Sequence, residues 1–223
     1  MPIFQLNERT AFPSPVLAEK NGLLAIGGDL SIKRLLSAYS QGIFPWYSED
    51  EPPLWWFTNP RLVLFPHEFH IPKRLARTLR NTDFRTTLDR DFKQVIQSCA
   101  EIRIKNGEGT WINPDMQEAY IALHHAGYTH SVECWLNDEL AGGLYGVQVD
   151  NVFFGESMFT RITDASKIAL VALVTYAKKQ GIKLIDCQMT TNHLLNFGAR
   201  EINGSEFRLL LETHIKQTNY EKL

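Results

Sequence analysis

The sequence predicts an α+β protein, with a small, loop-rich unit over residues 1–62 and a larger unit over 63–223 in which helices cover a mixed β-sheet. Three observations carry that expectation. The first sixty or so residues are dense in Pro, Gly and aromatic residues (FPSP, NGLLAIGGDLS, QGIFPWYS, PPLWWFTNPR), as expected of short strands joined by tight turns. Residues 129–160 hold three successive strand-like segments, THSVECWL, ELAGGLYGVQV and NVFFGESMFT. The turn signals Asn137-Asp138 and Asp150-Asn151 separate them, which is the pattern of an antiparallel meander. A helical segment then leads to a further apolar run, IKLIDCQM. A strand–helix–strand unit of this kind crosses over right-handed, so LIDCQ should lie parallel to GESMF.

Along the chain, Ser31 is placed to cap a helix that runs through Leu35, Leu36 and Tyr39 and stops near Gly42. Trp46, Trp55 and Trp56 follow, either as a packed structural cluster or as a stacking platform. In PKRLARTLR, residues 72–80, Lys73, Arg77 and Arg80 share one helical face and Leu75 and Leu79 another, with Arg61, Arg74, Arg85 and Arg90 around the stripe. A solvated face explains such a run in most proteins, yet a local positive excess in a slightly acidic chain also suits phosphate binding. Asp89 is expected to cap the next helix, with Phe92, Val95, Ile96 and Cys99 turned inward. The GEGTW loop lacks the glycine spacing of a nucleotide cradle. Asn113, with Pro114 at the first helical position, opens a helix that ends at Gly127. The crossover helix spans about 164–179, buries Ile168, Ala169, Ala172, Leu173 and Tyr176, and stops at Gly181.

With 223 residues, 44% hydrophobic and 22% charged, the composition excludes a disordered, collagen-like or purely coiled-coil chain. Its apolar runs are too short to span a bilayer, and the N-terminal residues carry no export signal, so a cytoplasmic protein is expected. Cys99, Cys134 and Cys187 lie far apart, and His67 and His70 sit in HEFH and not HExxH, so neither a disulfide framework nor a metal site is expected. A net charge of −2 means that any nucleic-acid partner is held by a local patch.

Three polar residues interrupt strands that otherwise read as buried. Glu156 is flanked by Phe153, Phe154, Met158 and Phe159, while Asp186 and Gln188 stand two apart, hence on one face of their strand. A carboxylate in such a segment is costly unless it is paired or opens onto a cleft. The crossover brings the two strands together, so the three side chains converge either as a satisfied structural network or as a site. As a site, they suit holding an amine, taking its proton and directing it at an acyl carbon without a covalent intermediate. A carboxylate pair for glycoside hydrolysis uses the same residue types.

As a set, FPSP at 12–15, NGLLAIGGDLS at 21–31, GIFPWYS at 42–48, LWWFTNPR at 54–61, GTWI at 109–112, SVECW at 131–135, GGLYGV at 142–147, FGESMFTR at 154–161, ASKIAL at 165–170, LIDCQ at 184–188 and FGAREI at 197–202 resemble the bacterial leucyl/phenylalanyl-tRNA–protein transferases in order over nearly the whole chain. The resemblance implies transfer of Leu or Phe, and less readily Met, from leucyl-tRNA and phenylalanyl-tRNA to the N-terminal Arg or Lys of a protein, which marks the acceptor for N-degron degradation. It implies a small N-terminal domain, a C-terminal domain like the GCN5-related acetyltransferase (GNAT) fold, and no cofactor. By position it puts catalysis on Asp186 and Gln188, with Gln188 orienting the acceptor α-amine and Asp186 polarising it or drawing off its proton. Glu156 is then the partner of the cationic acceptor side chain. The aminoacyl pocket is implied at Leu144, Phe153, Met158, Leu173 and Ile185, the aromatic site for the donor adenosine and the acceptor at Tyr39, Trp46, Trp111 and Tyr120, and the tRNA-backbone cluster at Lys73, Arg74, Arg77 and Arg80.

Two other readings share part of this pattern. One keeps the fold and moves the aminoacyl group to a cell-wall precursor or small amine, against which the N-terminal blocks argue. The other is a non-catalytic tRNA-binding protein using residues 73–80, which leaves Glu156, Asp186 and Gln188 unexplained. No oligomerisation signal is visible, and a monomer is the default.

Overall fold

The structure, a computed structural model, describes residues 3–105, 107 and 109–216. The strands are β1 (Phe4–Leu6), β2 (Leu23–Gly27), β3 (Phe44–Pro45), β4 (Leu54–Trp56), β5 (Arg61–Leu64), β6 (Arg85–Leu88), β7 (Thr129–Leu136), β8 (Glu139–Val149), β9 (Val152–Thr160), β10 (Leu184–Gln188) and β11 (Arg200–Ile202). The helices are α1 (Ile32–Tyr39), α2 (Lys73–Asn81), α3 (Phe92–Lys105), α4 (Pro114–His125), α5 (Ala165–Gln180), α6 (Asn192–Leu195) and α7 (Gly204–His214).

Local chemistry accounts for the main boundaries. Ser31 accepts the Arg34 N–H to open α1, and Asn113 accepts the Met116 N–H to open α4 behind Pro114. Gly181, in the left-handed region at φ 78°, closes α5. The cap of α3 differs from expectation, because Asp91 and not Asp89 accepts the Gln94 N–H. Asp89 instead takes φ 56° and turns its carboxylate to the Ser131 N–H and the His130 ring, tying the start of α3 to β7.

The N-terminal strands form a four-stranded sheet in the order β1-β2-β4-β3, as expected from the dense turn signals. Trp55 is fully buried there, donating to the Gly27 carbonyl, whereas Trp46 stays 39% exposed and packs on Trp56 at 5.5 Å. The indoles therefore divide between the two roles, Trp55 as core and the other two as an open aromatic surface. Arg34 is also buried, and its guanidinium holds the carbonyls of Asn7 and Arg9.

The second sheet has seven strands in the order β11-β5-β10-β9-β8-β7-β6. The β7-β8-β9 meander turns at Asn137-Asp138 and at Asp150, with φ of 51°, 62° and 48°. The crossover through α5 sets β10 parallel to β9, which makes the sheet mixed, since the meander and the pairs of β5 with β10 and β11 are antiparallel. The short strands β5, β6 and β11 lie outside what periodicity picks up, being three or four residues long.

Helix α5 covers one face, where Leu62, Leu64, Leu144, Phe153 and Ile185 pack with Ile168, Leu170 and Leu173. On the other face α3 and α4 cover Tyr145, Val147, Phe154 and Phe159. That second cluster continues without a break into Leu35, Tyr39 and Trp55 of the N-terminal unit and Phe207 of α7. Among the described residues no helix is long and apolar enough to cross a membrane.

Candidate active site

The sheet opens between its two parallel strands. Strands β9 and β10 pair only from Leu184 with Val152 to Asp186 with Phe154, after which they separate. Each carries an irregularity at that point. Register shifts make Glu156 the extra residue of β9 opposite Tyr145 and Gly146, and Cys187 the extra residue of β10 opposite Val63 and Leu62.

The bulge at Cys187 breaks the strict alternation of β10, yet the Asp186 and Gln188 side chains still meet. Gln188 takes φ 54° and lines the cleft, whereas Asp186 is 0% exposed and lies behind it, out of the cleft lining. There Asp186 meets Arg61, also 0% exposed. Arg61 Nε donates to Oδ1 at 2.8 Å and Nη2 to Oδ2 at 2.6 Å. The Gln188 N–H donates to Oδ1 at 3.0 Å and Gln188 Nε2 to Oδ2 at 3.4 Å. All four in-plane lone pairs of the carboxylate are thus engaged. Arg61 was expected beside the exposed basic stripe. It is instead withdrawn into the core, with Phe207 at 4.5 Å from its guanidinium and Phe44 at 5.0 Å.

Glu156 faces the same cleft from β9. The Tyr120 hydroxyl donates to its Oε2 at 3.1 Å, and the hydroxyls of Tyr39 and Tyr120 are bonded to each other. Its Oε1 is buried with no partner among the described residues. Burial pushes the Glu156 carboxyl up to about 7, with the two tyrosine hydroxyls opposing that shift. Tyr39 and Tyr120 are themselves fully buried, so they back this carboxylate and do not line the cleft, contrary to their expected place in the aromatic site.

Between these groups lies a cavity of about 800 Å³. Leu144, Met158, Leu173 and Ile185 line it, and so do Trp46 and Trp111. Phe153 does not line it, because its ring fills the space above Gly146, where a Cβ would come within 2.5 Å. Cavity residues not anticipated include Tyr47, Arg103, Leu170 and His193. Nε2 of His193 is buried without a partner among the described residues, and burial, then Lys167, lowers its pKa.

Lys73, Arg74, Arg77 and Arg80 are all exposed on α2, and Leu75 anchors the opposite face. Thr78 of α2 bonds Asp164 at the start of α5, so the stripe is fixed to the helix whose Leu170 and Leu173 wall the cavity.

The pattern described as leucyl/phenylalanyl-tRNA protein transferase matches residues 63–212, and that of its N-terminal domain matches 28–59. The chain is 56% identical over 207 residues to the leucyl/phenylalanyl-tRNA–protein transferase of Desulfotalea psychrophila, covering 93% of this chain and 91% of that protein. It is 56% identical over 217 residues to the enzyme of the same name from Syntrophobacter fumaroxidans, covering 97% and 93%. Among solved structures it is similar to FemX, at 12% identity and a TM-score of 0.49 over 85% of this chain and 74% of that one. It is also similar to an acetyltransferase of the GNAT family from Staphylococcus aureus Mu50, at 17% identity and a TM-score of 0.37 over 44% and 68%. On the sequence matches, which span both sheets and the cleft, the chain belongs to the leucyl/phenylalanyl-tRNA–protein transferase family, a family of aminoacyltransferases.

Proposed function

We propose that this chain moves Leu or Phe, and less readily Met, from the 3′ end of aminoacyl-tRNA to the N-terminal Arg or Lys of a protein, acting as a monomer in the cytoplasm and marking the acceptor for degradation. The observation that carries this reading is the juxtaposition of an apolar cavity with two fixed polar groups at its edge, Gln188 and Glu156.

The reaction is aminolysis of an ester. The acceptor nitrogen attacks the aminoacyl carbonyl carbon, the bond to the ribose oxygen breaks, and the proton lost by the amine ends on the released hydroxyl. A peptide α-amine titrates near 8, so much of it is neutral at cellular pH and holding it in line supplies most of the rate. Gln188 suits that task. Its Nε2 is directed at a carboxylate oxygen, which only accepts, and this leaves Oε1 to accept an N–H of the amine. Of the two roles implied for Asp186, drawing off the amine's proton fits poorly, since its lone pairs are already engaged, and polarising the amine would run through Gln188.

Glu156 suits the guanidinium or ammonium of the acceptor, its free Oε1 offering a partly desolvated carboxylate. Leu144, Met158, Leu173 and Ile185 would take the donor side chain, accommodating Leu or Phe better than β-branched residues. Trp46 and Trp111, which line the cavity, would stack on the terminal adenine, and the exposed Lys73, Arg74, Arg77 and Arg80 would meet tRNA phosphates.

The test is transfer of radiolabelled Leu or Phe from charged tRNA to a peptide beginning with Arg, against the same peptide beginning with Ala. Incorporation into the Arg peptide alone is expected. No incorporation into either, in folded protein that binds charged tRNA, overturns the reading.

A further inference from the structure

We infer that Arg61 is a positioning residue for aminoacyl transfer, fixing both the side chain and the main chain of Gln188 from a fully buried site. The inference rests on the function proposed above.

Two chains of bonds run from one guanidinium to Gln188. Through the first, Arg61 grips both oxygens of Asp186, and the same two oxygens receive the backbone N–H and the Nε2 of Gln188. Through the second, Arg61 Nη1 donates to Thr58 Oγ1 at 3.2 Å, and Thr58 Oγ1 donates to the Gln188 carbonyl at 3.2 Å. Gln188 needs such support because a non-glycine residue at φ 54° is held in a conformation its side chain disfavours. The N–H, carbonyl and amide of that residue all trace back to Arg61.

The guanidinium is itself held without freedom. Nη2 also donates to the Gly42 carbonyl at 3.0 Å, just beyond the end of α1. Phe44, Phe57 and Phe207 pack around it, two from the N-terminal unit and one from α7. A lysine lacks this fork. It keeps the charge but cannot bond both Asp186 oxygens, Thr58 and Gly42 together. Arg61 thus couples the unit that supplies Phe44 and Trp46 to the cavity with the strand that supplies Gln188.

The test is a double-mutant cycle on the full chain, by single-turnover transfer with enzyme in excess over charged tRNA and an Arg-initiated peptide as acceptor. Arg61→Lys is expected to lower the rate tenfold or more in the wild-type background and less than twofold in the Gln188→Ala background. Steady-state KM for tRNA and peptide should stay within about twofold of wild type. An equal fall in both backgrounds, or a wild-type rate in Arg61→Lys, overturns the inference. If Arg61→Lys does not fold, Thr58→Val cuts the second chain of bonds while leaving the ion pair. It should give a smaller fall in kcat with unchanged KM, and an unchanged kcat overturns the inference. Failure of the unaltered protein to transfer at all instead strikes the functional reading beneath it.

Discussion

Burial at Glu156 sets a test of both acceptor recognition and stability. Burial pushes its carboxyl up to about 7 in the folded chain, above the ordinary value of 4.5. Between those values the folded state binds more protons than the unfolded one, so this group makes stability fall as pH rises from about 4.5 to 7, by at most about 3 kcal/mol. The thermal midpoint of Glu156→Gln relative to wild type should therefore rise between pH 5 and pH 8, as followed by circular dichroism. If ionised Glu156 holds the acceptor cation, KM for an Arg-initiated peptide should rise about tenfold from pH 8 to pH 6, whereas Glu156→Gln should show a high and nearly constant KM. Asp186 is a different case. Asp186→Ala leaves the Arg61 guanidinium buried and unpaired, and should cost about 3–5 kcal/mol in denaturant unfolding besides its effect on transfer.

At the scale of elements, α2 offers a clean separation of affinity from fold. Its four cations are exposed, and the helix is anchored by Leu75 and the Thr78–Asp164 bond. Replacing Arg77 and Arg80 by Ala should reduce the slope of log affinity for charged tRNA against log salt by about 2, measured by filter binding, with little change in thermal midpoint. Gly42 is the opposite case, a position where the fold admits no side chain. It sits at φ 75°, and a Cβ there would lie 2.5 Å from the Phe207 ring. Gly42→Ala should destabilise by about 2 kcal/mol or more in denaturant, and by displacing Phe207 should also slow transfer. Elements of this kind were largely legible beforehand. Capping residues, Gly stops and two-residue turns act over a few positions, so α1, α4, α5 and the β7-β8-β9 meander follow from local chemistry. Asp89 misled because Asp91 offers the same carboxylate two residues later, and only the pairing of His130 and Ser131 with Asp89 distinguishes them.

Over the whole molecule, one cluster of buried side chains runs from Leu35 and Trp55 through Tyr145 and Phe154 to Phe207. Scanning calorimetry should accordingly show a single transition, with no separate melting of residues 1–62. Arg61 lies within that first segment yet belongs to the larger sheet, pairing in β5 with Ile202. By itself the sequence determined the fold class, the two-part organisation of its patterns and the presence of Glu156, Asp186 and Gln188 in strands that should carry no such groups. Those are matters of periodicity and desolvation, set by neighbours a few residues away. Tertiary structure alone decided how the three are used. A strand bulge left Asp186 fully buried behind Gln188 at the cleft, and Arg61, 125 positions away from Asp186, became its partner. Bulges depend on register with another strand, and the partner of a buried charge depends on which distant segment the sheet brings alongside it; neither is encoded in local spacing.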